Sequence, residues 1–176
     1  MEIRPARHRQ QGTVLIIVLL FLTVLMMMAS AAVTSGVAEE RLARASRDYN
    51  IGFQAAESAL QDAKNDLIGN GSRNPVIIAA VGFVTNCVNG LCVAAPLGSA
   101  NVWDVASNWT NAATYAQYTY AQTLPSSGPG SVSQPPKYLI EWLAVSGSQN
   151  IYRITARGWG PIAGTSPVTL QEEVLR

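Results

Sequence analysis

The apolar and polar positions divide the chain into stretches with different periods. Residues 13–38 read TVLIIVLLFLTVLMMMASAAVTSGVA, 26 positions without a charge. As a helix this run spans about 39 Å, more than the ~30 Å hydrocarbon core of a bilayer. Beyond it Leu42, Ser46, Tyr49, Phe53, Ala56, Leu60, Ala63 and Leu67 recur at alternating spacings of four and three. That spacing predicts a stripe along one helix face. Glu39, Arg41, Arg44, Arg47, Asp48, Glu57, Asp62 and Lys64 fall on the other faces. Asn65, Gly69 and Asn70 mark the stop, with Asn70-Gly71 as a turn signal. No proline interrupts residues 13–68, so one helix of up to about 56 residues is predicted. Gly36 and Gly52 are its bending points, each costing about 1 kcal/mol relative to Ala. The stripe holds small residues and two aromatics instead of repeated Leu and Ile. It therefore predicts packing on the chain's own C-terminal part over a coiled-coil stalk.

The C-terminal stretch changes to a period of two. Residues 138–145, YLIEWLAV, form a strand, and Gly147-Ser148-Gln149-Asn150 form a turn. In residues 151–157, Ile151, Arg153, Thr155 and Arg157 alternate with Tyr152, Ile154 and Ala156. Gly158 to Pro167 connect to a third strand, Val168 to Val174. Three antiparallel strands with one apolar face need a cover, and the stripe from Leu42 to Leu67 supplies one. The fold class is α+β, a long N-terminal helix packed on a C-terminal antiparallel β-sheet. Glu141 is placed to pair across the sheet with Arg153 or Arg157, a surface contact of under about 1 kcal/mol.

Composition adds direction. Charged residues are 13% of the chain, against about 25% in typical soluble domains. A net charge of +1 argues against a nucleic-acid partner held by a basic surface. Arg4, Arg7, His8 and Arg9 precede the apolar run, so by the positive-inside rule this leader stays cytoplasmic and the remainder is exported. A cleaved secretory signal competes with this reading, with ASA or SAA at 29–32 as its cleavage site. The apolar run from Val14 to Met28 is at the long limit for such a signal. A plain single-pass anchor is the other competitor.

Residues 69–137 are rich in Gly, Asn, Ser, Thr and Ala, and their charges are Arg73, Asp104 and Lys137. Cys87 and Cys92 bracket Asn89-Gly90, a tight-turn pair, and in an exported domain a disulfide is the default. The spacing suits neither a CxxC redox motif nor a metal site. Trp103, Trp109, Tyr115, Tyr118 and Tyr120 cluster in this region, as core more readily than as a sugar platform. Residues 126–136, SSGPGSVSQPP, read as an exposed loop and a candidate contact surface. The one His lies in the leader, so no nucleophile–base pair can be built in the exported part. Neither an enzyme nor a cofactor is expected. Glu141 with Asp104 or Glu172 is the sole calcium option, without the dense acidic loop that calcium needs.

The junction reads Arg9-Gln10-Gln11-Gly12-Thr13-Val14-Leu15-Ile16-Ile17. A short basic leader ending in Gly before an unbroken apolar helix resembles a class III, prepilin-type signal. The resemblance implies cleavage by a prepilin peptidase between Gly12 and Thr13, and N-methylation of Thr13. Glu39-Glu40-Arg41-Leu42-Ala43, Arg47-Asp48 and above all Phe53-Gln54-Ala55-Ala56-Glu57-Ser58-Ala59-Leu60 resemble the PilX family of type IV pilus minor pilins. Tyr152-Arg153-Ile154-Thr155-Ala156-Arg157-Gly158 is similar to that family too. One departure stands out. Most pilins and pseudopilins carry Glu at the fifth mature position, here Ile17, where it meets the N-terminal amine of a neighbour. Two readings stay open: a chain outside the pilins, or a subunit at a place such as the fibre tip where that contact is absent.

The domains implied are a leader over 1–12, a transmembrane and assembly segment over 13–38, and an amphipathic half-helix over 39–68. A variable, loop-rich head region with the disulfide follows over 69–137, and the sheet over 138–176. The family implies a low-abundance subunit that primes pilus assembly and enters the fibre near its tip, supporting twitching motility, adhesion or aggregation. Its implied partners are other minor pilins, the major pilin, the prepilin peptidase, the inner-membrane assembly platform and a large tip adhesin. It would sit in the bacterial inner membrane with its head in the periplasm, and on the cell surface after assembly. The alternatives are a minor pseudopilin of a type II secretion system and a membrane-anchored periplasmic adhesin or sensor. The largest tip pseudopilin shares the missing Glu but resembles a much longer chain with a helical insertion.

Overall fold

The computed structural model describes residues 12–69, 71–73, 77 and 81–176, with the side chains of 31–35 left aside. The basic leader up to Gln11 and Asn70 of the proposed turn lie outside the described residues. One helix, α1, runs Thr13–Ile68 over 56 residues, as the absence of proline predicts. The chain forms two compact units, one up to Ala45 and one over Ser46–Arg176.

In the first unit every large apolar residue from Val14 to Met28 is exposed. An ion pair between Arg44 and Glu40, 2.5 Å apart and one turn apart, lies on its surface.

The second unit is built on a five-stranded sheet. Its strands are β1 (Leu91–Val93), β2 (Ala113–Thr114), β3 (Lys137–Ser146), β4 (Gln149–Gly158) and β5 (Val168–Leu175). The antiparallel meander β3-β4-β5 follows the alternation in the sequence, with Ile140 opposite Ile154 and Ile154 opposite Glu172. The first connection is tighter than its four-residue signal suggests. Ser146 pairs with Gln149, so Gly147-Ser148 alone make the turn. Two strands come from the loop-rich region. β1 joins β3 in parallel and β2 joins it antiparallel. Neither was visible to periodicity, since strands of two or three residues carry no period.

The stripe on α1 departs from its expected course. Leu42, Ser46 and Tyr49 are exposed and Phe53 is 38% exposed. The buried face is Gly52, Ala55, Ala56, Ala59, Asp62, Ala63, Asp66 and Leu67. The buried face is turned from that stripe toward the small residues Gly52, Ala55 and Ala59, leaving Phe53 and Leu60 at its edge. Asp62, assigned to an outer face, is 2% exposed. Small residues dominate because backbone meets backbone. A Cβ on Gly158 of β4 would strike Ala56 N and Gly52 O, and would lie 2.8 Å from Ala55 C.

Both faces of the sheet are covered. Tyr138, Ile140, Tyr152, Ile154 and Ala156 pack with Ala59, Ala63 and Leu67 of α1. On the opposite face Leu139 packs with Cys87, Cys92, Val102, Trp109 and Ala112, with Trp103 at the margin. This second layer contains the short helix α2 (Ala106–Thr110). Arg157 lies over the Trp109 ring at 3.9 Å and Arg153 over Trp103 at 4.9 Å. The aromatic cluster therefore divides. Trp109 is core, Trp103 is half-buried, and Tyr120 is 81% exposed. The 126–136 stretch is a loop, pinned by buried Val132 and by Ser133 N donating to Gly160 O at 2.9 Å.

Candidate functional site

Gly12 is exposed just ahead of α1, and a Cβ there would meet nothing within 4 Å. Thr13 opens the helix, and no acidic residue occupies its first turn. Ile17 lies one turn in, half exposed at 53% with its apolar neighbours. Four backbone N–H groups at such a terminus have no intrahelical acceptor. The segment Thr13–Ser30 is long and apolar enough to cross a membrane. Its polar atoms are adapted to that setting. Thr23 Oγ1 donates to Leu20 O and Ser30 Oγ to Met27 O, each at 2.8 Å, so neither hydroxyl needs water. An apolar surface this continuous marks contact with lipid or with other helices.

The other end of α1 carries a buried polar network. Asp66 is fully buried, and Arg73 places Nε 2.7 Å and Nη2 2.5 Å from its Oδ2. Tyr138 donates its hydroxyl to the same oxygen at 3.0 Å. The Arg73 guanidinium also donates to Asn89 O and lies 3.8 Å over the Tyr118 ring. One turn earlier Asp62 accepts from Ala116 N at 2.8 Å and from the Thr119 hydroxyl. Burial, and then the charge of Asp66, hold the Tyr138 phenol well above its usual range. Tyr115 is raised by burial and by Asp62. Two aspartates four residues apart on one helix face thus anchor the loop-rich region to α1. Sequence reading missed Asp66 and misplaced Asp62, although their spacing from Ala59 and Ala63 put them on the same face.

Cys87 and Cys92 form the disulfide expected of them, and both are fully buried. The bridge closes the turn that presents Asn89 O to Arg73 and Gly90 to the sheet. Gly90 has φ +75, and a Cβ there would lie 2.6 Å from Ala113 N and 2.9 Å from Tyr138 O. Glu141 is no surface residue. It is 4% exposed and lies 3.6 Å from Arg153, which also pairs with Glu173 at 2.9 Å. Burial raises its pKa, and Arg153 opposes the shift. Arg157 instead donates to Trp103 O at 2.9 Å. Glu141, Asp104 and Glu172 engage Arg153, Asn101 and Lys64 separately. Among the described residues no group of three or more acidic, His or Cys side chains could hold a metal ion.

Residues 11–61 match the PilX N-terminal family. That segment holds the apolar run and the part of α1 that begins the packing on the sheet. The chain has a type IV pilin-like architecture. Neither a curated protein nor a solved structure matches it. The pilin-type match ends at Gln61, so the network at Asp62 and Asp66, the disulfide and the sheet lie beyond it. It supports assignment to pilins and pseudopilins in general, with Thr13–Ser30 as a segment fit for membrane anchoring.

Proposed function

We propose that this protein is a minor pilin that primes type IV pilus assembly and enters the fibre near its tip. The observation that carries the reading is the uncovered apolar stretch Thr13–Ser30, belonging to the same helix that packs the head. Before assembly the segment rests in the inner membrane with the head in the periplasm. Polymerisation moves it from lipid into the fibre core among other pilin helices. Both settings are apolar, so side-chain packing decides the exchange and an ATP-driven platform supplies the work. Ile17 removes the carboxylate that would meet a neighbour's amine, which fits a place without that contact. In this reading the partners are other minor pilins, the major pilin, the prepilin peptidase, the assembly platform and a large tip adhesin. The protein has no catalytic task and takes no cofactor. Its contributions are to twitching motility, adhesion or aggregation.

N-terminal mass spectrometry of the mature protein is the test. A methylated Thr13 supports the proposal, and an intact Met1 or a start near Ala32 defeats it. A minor pseudopilin of type II secretion, with the same kind of leader and apolar helix, is the competing reading. Finding the subunit in sheared surface filaments favours the pilus, and retention in the inner membrane favours the pseudopilin.

A further inference from the structure

A cleft of about 450 Å³ opens on the second face of the sheet, lined by Trp103, Asp104, Arg157, Thr169 and Gln171. It exists because the tryptophan layer covers β3 and β4 and stops short of β5, leaving Thr169 and Gln171 exposed. The strand register sets Thr169 beside Arg157 and Gln171 beside Thr155. The volume lies within the roughly 300–1,000 Å³ of small-molecule sites.

The groups left over in the cleft have a mixed character. Arg157 spends Nη2 on Trp103 O, so Nη1 remains a donor. Asp104 accepts from Asn101 at Oδ2, so Oδ1 remains an acceptor. Gln171 spends its amide N–H on Thr155, so its carbonyl remains. The Thr169 hydroxyl and the Trp103 indole N–H have no protein partner among the described residues. Arg153, fixed by Glu141 and Glu173, lies over the Trp103 ring and holds it in place.

A simple anion calls for donors alone and would meet the charge of Asp104. A metal ion calls for acceptors alone and would meet Arg157. A polyhydroxylated ligand suits both sets, since each hydroxyl donates and accepts while its C–H surface packs on indole. We propose that the Trp103–Asp104–Arg157–Thr169–Gln171 cleft is a binding site for a neutral saccharide. It bears on the adhesive part of the function proposed above, and needs neither N-terminal processing nor filament incorporation.

The test uses the full chain in a detergent without a sugar head group. Saturation-transfer NMR is run with methyl glycosides of glucose, galactose and N-acetylglucosamine, and with glucuronate as the acidic probe. Transfer to at least one neutral glycoside is expected, with a change in tryptophan emission. Thr169→Val and Asp104→Asn should each weaken it about tenfold, the loss of one hydrogen bond. Both variants should keep the near-ultraviolet circular dichroism of the parent. Transfer to glucuronate alone, to no glycoside at millimolar concentration, or unchanged in a folded double variant overturns the proposal.

Discussion

Gly158→Ala probes the contact on which the head depends. Position 158 has no positive φ, so alanine is not excluded by its own backbone. The obstacle is α1. The added methyl would strike Ala56 N and Gly52 O and lie 2.8 Å from Ala55 C, all backbone atoms that no rotamer change can move. Helix and sheet must separate, which loosens Ala55, Ala56 and Ala59 together. Overpacking costs about 1–3 kcal/mol, and a clash with backbone belongs at the upper end, about 3 kcal/mol. At roughly 3–6 °C per kcal/mol for a unit of this size, the midpoint should fall by about 10 °C or more. Near-ultraviolet circular dichroism of the full chain in micelles is the assay, because its tryptophan and tyrosine bands follow the head and the apolar segment Thr13–Ser30 has neither residue. Gly164→Ala is the comparison. It has φ +82 but nothing within 4 Å of its Cβ, so it should lose only the strain of about 1 kcal/mol. Ala56→Gly should not rescue Gly158→Ala, since the struck atoms are not side chain. A Gly158→Ala protein as stable as Gly164→Ala would refute the close-approach argument.

Four other outcomes follow from the same geometry. Arg73→Met should cost about 3–5 kcal/mol in urea unfolding by stranding Asp66, and Arg73→Met with Asp66→Leu should recover much of it; equal losses would deny that the ion pair is coupled. Replacing Cys87 and Cys92 by alanine should cost about 2 kcal/mol and free Asn89 from Arg73, read as faster amide exchange in the turn, with unaltered exchange counting against it. Burial raises the Glu141 pKa, so the native state binds its proton more tightly than the unfolded chain. This group's contribution is therefore full below the ordinary carboxylate value of about 4.3 and declines as pH rises through the raised one. Glu141→Gln should flatten that decline, and a stability–pH curve identical to the parent's would refute the assignment. Ile17→Glu should change the subunit's abundance or position in sheared filaments; unchanged piliation and incorporation would show that the residue does not govern docking.

Local rules determined the long elements. A proline-free stretch of apolar and then helical periodicity marked α1, and the alternation over 151–157 with its flanking turn signals marked the meander β3-β4-β5. Cys87 and Cys92 were legible too, since their pairing depends on near neighbours. Tertiary structure decided which residues of α1 face inward. The stripe runs through the bulkier apolar residues, whereas the close approach of Gly158 to the backbone of Gly52 and Ala56 selects the small-residue face, so Phe53 turned outward while Asp62 and Asp66 turned in. It also decided what the loop-rich region does. Its strands are too short to carry a period, and they are placed by the disulfide, Gly90 and Arg73, contacts between residues far apart in sequence. The charge-poor middle of the chain carried little chemical signal in its sequence because part of its order resides in hydrogen bonds to Asp62 and Asp66, the buried carboxylates of α1.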